Sequence, residues 1–319
     1  MASALVIAVQ AVIMFILLAV GFALRKGGML SEDATKQLSN IAICVINPIV
    51  IFNAYQTEFD AALLKGLLIA FALSAVSHAV LVLFANLAVK KGRERAEVER
   101  FAIVYSNCAF MGIPLIDSAF GSEGVFYLTG YITIFNLMLW THGLLTMRGT
   151  GGGLGKSLFK ALVSPAVLST AAGLVCFFTG LRLPSLLQIP LDYLGAMNTP
   201  LAMIVSGSAI AGAGLASGFK SLRVYYVQAF KLLIVPAALA ALFAPLTLLG
   251  VQPLVINTVL LAAASPTASA TIMFAYKFGR DAEYAGGHFA LSTVASVATM
   301  PLVLLASEMF IKLFSALAA

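Results

Sequence analysis

The chain opens with "MASALVIAVQAVIMFILLAVGFAL", in which no charged residue occurs before Arg25. A membrane-crossing helix needs ~20 mostly apolar residues, and this run supplies them. It is too long for the ~7 to 15 apolar residues of a cleaved signal, so it is expected to stay as the first helix of a set. Similar runs recur between charged and Gly clusters. They divide the chain into ten expected segments: about 3 to 24, 35 to 55, 61 to 89, 100 to 120, 124 to 147, 160 to 180, 191 to 214, 224 to 249, 254 to 276 and 285 to 312. Composition removes the soluble alternative. The chain is 61% hydrophobic and 10% charged, with a mean hydropathy of +1.02, whereas soluble domains are ~25% charged. The expected fold is an all-α integral membrane protein with ten transmembrane helices in a lipid bilayer. The three cysteines, Cys44, Cys108 and Cys176, lie in apolar runs. Their odd number and unpaired spacing point to neither a disulfide framework nor a metal site, and no cofactor is implied.

Lys and Arg orient the segments, because cytoplasmic loops hold the excess of them. On alternate loops lie Arg25, Lys26 and Lys36; Lys90, Lys91, Arg93, Arg95 and Arg100; Arg148, Lys156 and Lys160; Lys220 and Arg223; Lys277 and Arg280. These are 15 of the 19 basic residues. Only Lys65, Arg182 and Lys312 fall on the other side, and Lys231 lies within a span. Both termini are therefore expected outside. The net charge of +6 follows from this bias and needs no nucleic-acid partner.

A Gly-rich connector, "RGTGGGLGK", lies near the middle. It suggests a first five-helix repeat over 1–147, a connector over 148–159 and a second repeat over 160–319. Five is odd, so the second repeat would enter the membrane inverted. Pro48 and Pro200, Pro114 and Pro266, and Gly21 and Gly173 each share one offset, and they fall in expected helices 2 and 7, 4 and 9, and 1 and 6. Inverted repeats with interrupted helices typify secondary transporters, whose substrates bind near the midplane where the interruptions meet.

The stretch "NCAFMGIPLI" (107 to 116) carries such an interruption. Pro114 has no N–H, which frees the carbonyl of Phe110, and Gly112 loosens the helix there. In expected helix 9, Pro266 does the same to Ala262. Broken backbone at membrane depth survives only where protein or a watery cavity satisfies it. A half-helix starting after each break offers free N–H groups and about half a positive charge, which suits a carboxylate. Ser106, Asn107, Ser265, Thr267 and Ser269 add neutral donors. The expected substrate site is therefore Ser106, Asn107, Gly112, Pro114, Ser265, Pro266 and Thr267.

At these residues the sequence resembles the auxin efflux carrier family, which includes plant auxin exporters and bacterial permeases for malonate-like acids. "NCAFMGIPLI" is similar to the family's fourth-helix motif and "AASPTASATIMFAYKF" to its ninth-helix crossover. "INPIVIF" and "NTPLAMIVSGSAIAG" fit its second and seventh helices. The resemblance spans the whole chain. It implies a scaffold of helices 1, 2, 6 and 7 and a transport domain of helices 3 to 5 and 8 to 10 that moves like an elevator. It also implies a homodimer through the scaffold and contact of Asn107 with the substrate carboxylate. The long hydrophilic loop of the plant carriers is missing, which fits a bacterial permease in the inner (cytoplasmic) membrane. The third helix has no acidic residue paired with a Lys, so a proton-responsive support site does not carry over.

Other polar residues within spans are suspects for a pathway or coupling role: Asn47, His78, Asn136 and Ser269. His142 and His288 are placed toward the cytoplasmic ends of helices 5 and 10, and Lys231 is expected to snorkel to the inner surface. Asp117 is expected at a solvated helix end. The reading is a carrier of a small organic anion, auxin-like or malonate-like. Uniport and proton-coupled or sodium-coupled symport all stay open, as do, more remotely, a channel and an intramembrane enzyme. No H-E-x-x-H or G-x-S-x-G motif supports the enzyme.

Overall fold

The computed structural model describes residues 2–90, 92–148, 159, 161–212 and 221–318. Most of the Gly-rich connector, together with Lys91, Lys156, Lys160 and Lys220, lies outside the described residues. All regular structure among those described is helical, apart from one isolated bridge between two extended residues.

Helix α1 spans Ala2–Lys26. Arg25 and Lys26 in its last turn complement the negative end of the helix dipole, and Gly28, at φ 74°, supplies the left-handed residue that ends it. Helix α2, Glu32–Ile41, starts at Ser31, whose hydroxyl accepts from Ala34 N at 3.1 Å. A π-helical turn, Ala42–Ile46, joins it to α3, Asn47–Ala54. Asp60 caps α4, Ala61–Ala88, by accepting from Ala62 N at 2.7 Å.

The chain continues through α5 (Ala96–Val104), a π turn (Cys108–Gly112), α6 (Ile113–Met138), a second π turn (Leu139–Gly143) and α7 (Leu144–Arg148). Gly121 interrupts α6 with φ 65° and ψ −161°, a backbone only glycine adopts cheaply. Then come α8 (Pro165–Thr179), α9 (Ser185–Ala196), α10 (Asn198–Gly212) and α11 (Leu222–Ala229). After a π turn (Phe230–Ile234) follow α12 (Val235–Phe243), α13 (Pro253–Ala264), α14 (Ala270–Lys277) and α15 (Ala282–Ala318). Seven helical stretches among the described residues are long and apolar enough to cross a membrane, and two shorter apolar helices, α8 and α13, accompany them.

Burial separates the outer helices from the inner ones. In α1 the stripe Ile7, Ala11, Met14, Leu18 and Gly21 is buried, while Leu5, Val9, Val12, Ile16 and Val20 are exposed. A helix in lipid keeps its apolar residues on the outside as well, since hydrocarbon is no worse a solvent than the core. By contrast, α13 is buried continuously from Val255 to Ala264. It is the core helix, packed against α4, α6, α12 and α15.

Close backbone approach sets the packing of α1 on α10. A Cβ on Gly21 would strike the backbone of Ile204, and one on Gly207 that of Leu18. Small residues at such crossings let helices gain dispersion contacts that lipid cannot match. In a second crossing, α3 packs on α8, where a Cβ on Gly173 would strike the Tyr55 side chain.

Candidate functional site at the crossing of two interrupted helices

The chain leaves helical geometry between α5 and the Cys108–Gly112 turn, and again between α13 and α14. The two gaps lie side by side and antiparallel. Ser106 bridges Thr267, Asn107 N donates to Pro266 O at 2.7 Å, and Ala268 N donates to Tyr105 O at 2.9 Å. Each gap supplies donors and acceptors that the other needs, so broken backbone is satisfied without water.

Side chains complete the exchange. Ser106 Oγ donates to Ala263 O at 2.9 Å, and Thr267 Oγ1 donates to Ala102 O at 3.1 Å. Both carbonyls sit four residues before the bridging residue of their own strand, where the helical N–H donor has been lost to the break. Thr267 N in turn donates to Ser292 Oγ at 3.0 Å. Gln228 Nε2 reaches Thr267 Oγ1 at 3.2 Å and His288 Nδ1 at 2.9 Å.

The second break is where Pro266 led it to be expected. The first is not at Pro114. It falls at Tyr105–Asn107, and Pro114 lies six residues past Cys108 inside the continuous helical run of the π turn and α6, where its missing N–H removes one helical bond without opening a gap. No Gly or Pro marks Tyr105–Asn107, because its extended backbone is held by partners on the other strand. Gly112 belongs to the crossing in another way: a Cβ there would approach Ser265 Oγ to 3.3 Å. Ser106, Asn107, Gly112, Ser265, Pro266 and Thr267 are thus together. Ser269 opens α14 beside them, half-buried.

Asn107 stands out among these. It is 6% exposed, and its side-chain Nδ2 has no hydrogen-bond partner among the described residues. A buried unmade donor costs ~1 to 3 kcal/mol, so the position is held open at a price in stability.

The remaining suspects, except His142, which bonds Tyr105, lie apart from the bonded network. Asn136 Nδ2 donates to Ile132 O, one turn back on its own helix, at 2.8 Å. His78 Nδ1 contacts Ser74 O at 2.8 Å, its ring lies 4.9 Å from that of Tyr131, and its Nε2 is unpaired among the described residues. Asn47 is buried with its side-chain oxygen likewise unpaired. Asp117 is exposed, in keeping with a helix end. His142 bonds Tyr105 Oη through Nδ1 at 2.9 Å and lines a cavity of about 500 Å³ with Asn86, Glu97, Arg100 and Thr146. Among the described residues no group of three His, Cys, Asp or Glu could hold a metal ion.

One expectation needs correction. Lys231 does not snorkel: it is fully buried, and its side-chain nitrogen donates to Ser106 Oγ and, at 3.1 Å, to Ala263 O. His288, in the second turn of α15, is equally buried and bonded to Gln228. A charged residue in an otherwise uncharged span was the available signal for Lys231. Its acceptors, on distant segments, were not. Glu99 was missed as well. Within the charged run "KKGRERAEVER" it reads as a solvated residue, yet its side chain is 1% exposed and paired with Arg223 at 2.7 Å and Tyr284 Oη at 2.9 Å. With Arg95–Asp281 at 2.9 Å, these pairs gather the starts of α5, α11 and α15 on one face.

The family described as "Membrane transport protein" matches residues 6–157 and 153–304. An uncharacterized transporter of Methanothermobacter thermautotrophicus is 25% identical over 299 residues, covering 90% of this chain and 94% of the relative. A Rhizobium meliloti protein named "Putative malonate transporter" is 27% identical over 213 residues, covering 64% of this chain and 65% of the relative. An uncharacterized transporter of Methanocaldococcus jannaschii is 24% identical over 307 residues, covering 91% and 95%. The chain belongs to the membrane transport protein family, the auxin efflux carrier-like group that its fourth-helix and ninth-helix segments resemble.

Proposed function

We propose that this protein is a secondary carrier of a small organic anion, of malonate-like or auxin-like chemistry, and that the carboxylate binds at the crossing. The observation that carries the reading is the unpaired, buried Nδ2 of Asn107. It lies where the helical turn Cys108–Gly112 begins, and α14 begins on the neighbouring strand. The first N–H groups of a helix have no acceptor within it and carry about half a positive charge. An amide donor beside two such ends attracts an anion without gripping it so tightly that release fails. The relative named as a malonate transporter supports the class of substrate.

The architecture proposed is ten membrane passages in two inverted five-helix halves, 1–147 and 160–319, joined by the connector at 148–159. Division of the Cys108–Arg148 run at Gly121 and junction of the two broken helices support the count. Reciprocity supports the inversion. The first helix packs on the seventh with Gly21 at the contact, and the sixth packs on the second with Gly173 at the contact. Ser106 and Thr267 cap each other's half-helix in the same mutual way. Helices 1, 2, 6 and 7 form the scaffold, through which a homodimer assembles. Helices 3 to 5 and 8 to 10 move as the elevator, and both termini face outward from a bacterial inner membrane.

A panel of carboxylic acids tested for thermal stabilisation of purified protein checks the substrate class. Short dicarboxylates or aromatic monocarboxylates should raise the melting temperature saturably, and amines and sugars should not. Stabilisation by cationic or neutral solutes alone would overturn the anion reading.

A further inference from the structure

The two half-helices that end at the crossing are not capped alike. Among the described residues, the side-chain donor to the carbonyl of Ala102, near the end of α5, is the hydroxyl of Thr267. The carbonyl of Ala263, at the end of α13, receives the hydroxyl of Ser106 and the nitrogen of Lys231. The end of a helix carries about half a negative charge, and in broken-helix carriers such ends hold the coupling cation. Lys231 stands in that place.

The Lys231 nitrogen has two acceptors. Ser106 spends its one hydrogen on Ala263 O, so toward Lys231 its oxygen accepts. Ala263 O accepts by nature. Both lie at the negative end of the α13 dipole, which favours the charged form. No carboxylate pairs with Lys231 among the described residues, and the ionisable groups that interact with it are the Cys108 thiol and the His78 ring. Its charge therefore has no fixed counter-ion.

We propose that the Lys231 ammonium is a tethered monovalent cation that fills a coupling-ion position at the end of α13, so that the carrier binds its anion without sodium. The position of the anion rests on the proposed function; the filled cation position does not. Lys231 is a positioning residue here, acting on the anion through its field and through Ser106, the neighbour of Asn107.

The test measures melting temperature in sodium chloride and in choline chloride of equal ionic strength, with malonate as the anion probe. Wild-type protein should melt alike in both salts, and malonate should stabilise it equally in both. Lys231→Met, which keeps the bulk and removes the charge, should bind malonate ~10-fold or more weakly in either salt, as loss of a nearby unit charge in a low-dielectric site demands. Lys231→Ala, which vacates the position, should be stabilised by sodium over choline even without malonate, and should regain malonate binding only in sodium. Saturable stabilisation of the wild type by sodium overturns the proposal, and so does indifference of Lys231→Ala to sodium. If neither variant folds, the wild-type salt comparison decides. If malonate has no effect on the wild type, the choice of anion fails while the sodium comparisons still decide the role of Lys231.

Discussion

The two strands of the crossing share a backbone and differ in their side chains. Tyr105–Asn107 and Pro266–Ala268 exchange the same bonds in both directions, and Ser106 and Thr267 perform the same capping. Yet the first strand carries Asn107 where the second carries Ala268, and among the described residues only the second half-helix end is bonded by a lysine nitrogen, that of Lys231. Backbone satisfaction at membrane depth is compulsory, so both strands meet it the same way. Recognition of one asymmetric ion is not symmetric, and the chemistry sits where the strands diverge.

The largest expected effect falls on the residue without a counterpart. Asn107→Ala should weaken anion binding by the worth of a hydrogen bond to a charged group, ~1.5 to 3 kcal/mol, or ~10-fold to 150-fold in affinity. Ala268→Ser, across the bridge, should leave affinity near that of the wild type. Equal losses in binding titrations of the two variants would make the crossing symmetric in function as well as in backbone.

Next come the caps. Thr267→Val strips Ala102 O of its hydroxyl donor and should cost ~1 to 3 kcal/mol in stability. Ser106→Ala should cost more, because it takes a hydroxyl donor from Ala263 O and an acceptor from the buried Lys231 nitrogen. Chemical or thermal unfolding in detergent orders the two, and the reverse order would mean that the Ser106–Lys231 bond contributes little.

The prolines should show a smaller contrast. Pro266→Ala restores an N–H that can bond Ala262 O, draws the gap toward helix and disturbs the Asn107–Pro266 bond. A roughly 10-fold loss of anion affinity is expected, which corresponds to ~1.4 kcal/mol. Pro114→Ala should leave affinity near that of the wild type, since Pro114 lies inside the helical run that starts at Cys108 and outside the Tyr105–Asn107 gap. Similar losses in both variants would return the first break to Pro114.

What the sequence could show follows the same division. Long uncharged runs are local signals, and the structure along them is helical. Pro266 announced its break because proline acts on its own backbone. Tyr105–Asn107 did not, because what opens that segment is hydrogen bonding to a strand far along the chain. Lys231 was misplaced and Glu99 missed for a related reason: burial of a charge depends on acceptors and partners brought by other helices. Asn107 was legible as a residue type in an apolar run, but its unpaired amide was not.

Counterflow in proteoliposomes tests the central claim most directly. Vesicles preloaded with malonate should take up radiolabelled malonate transiently above equilibrium through the wild-type protein, Pro114→Ala should retain that overshoot, and Asn107→Ala should lose it at the same external concentration. An undiminished overshoot in Asn107→Ala would contradict binding of the carboxylate at the crossing.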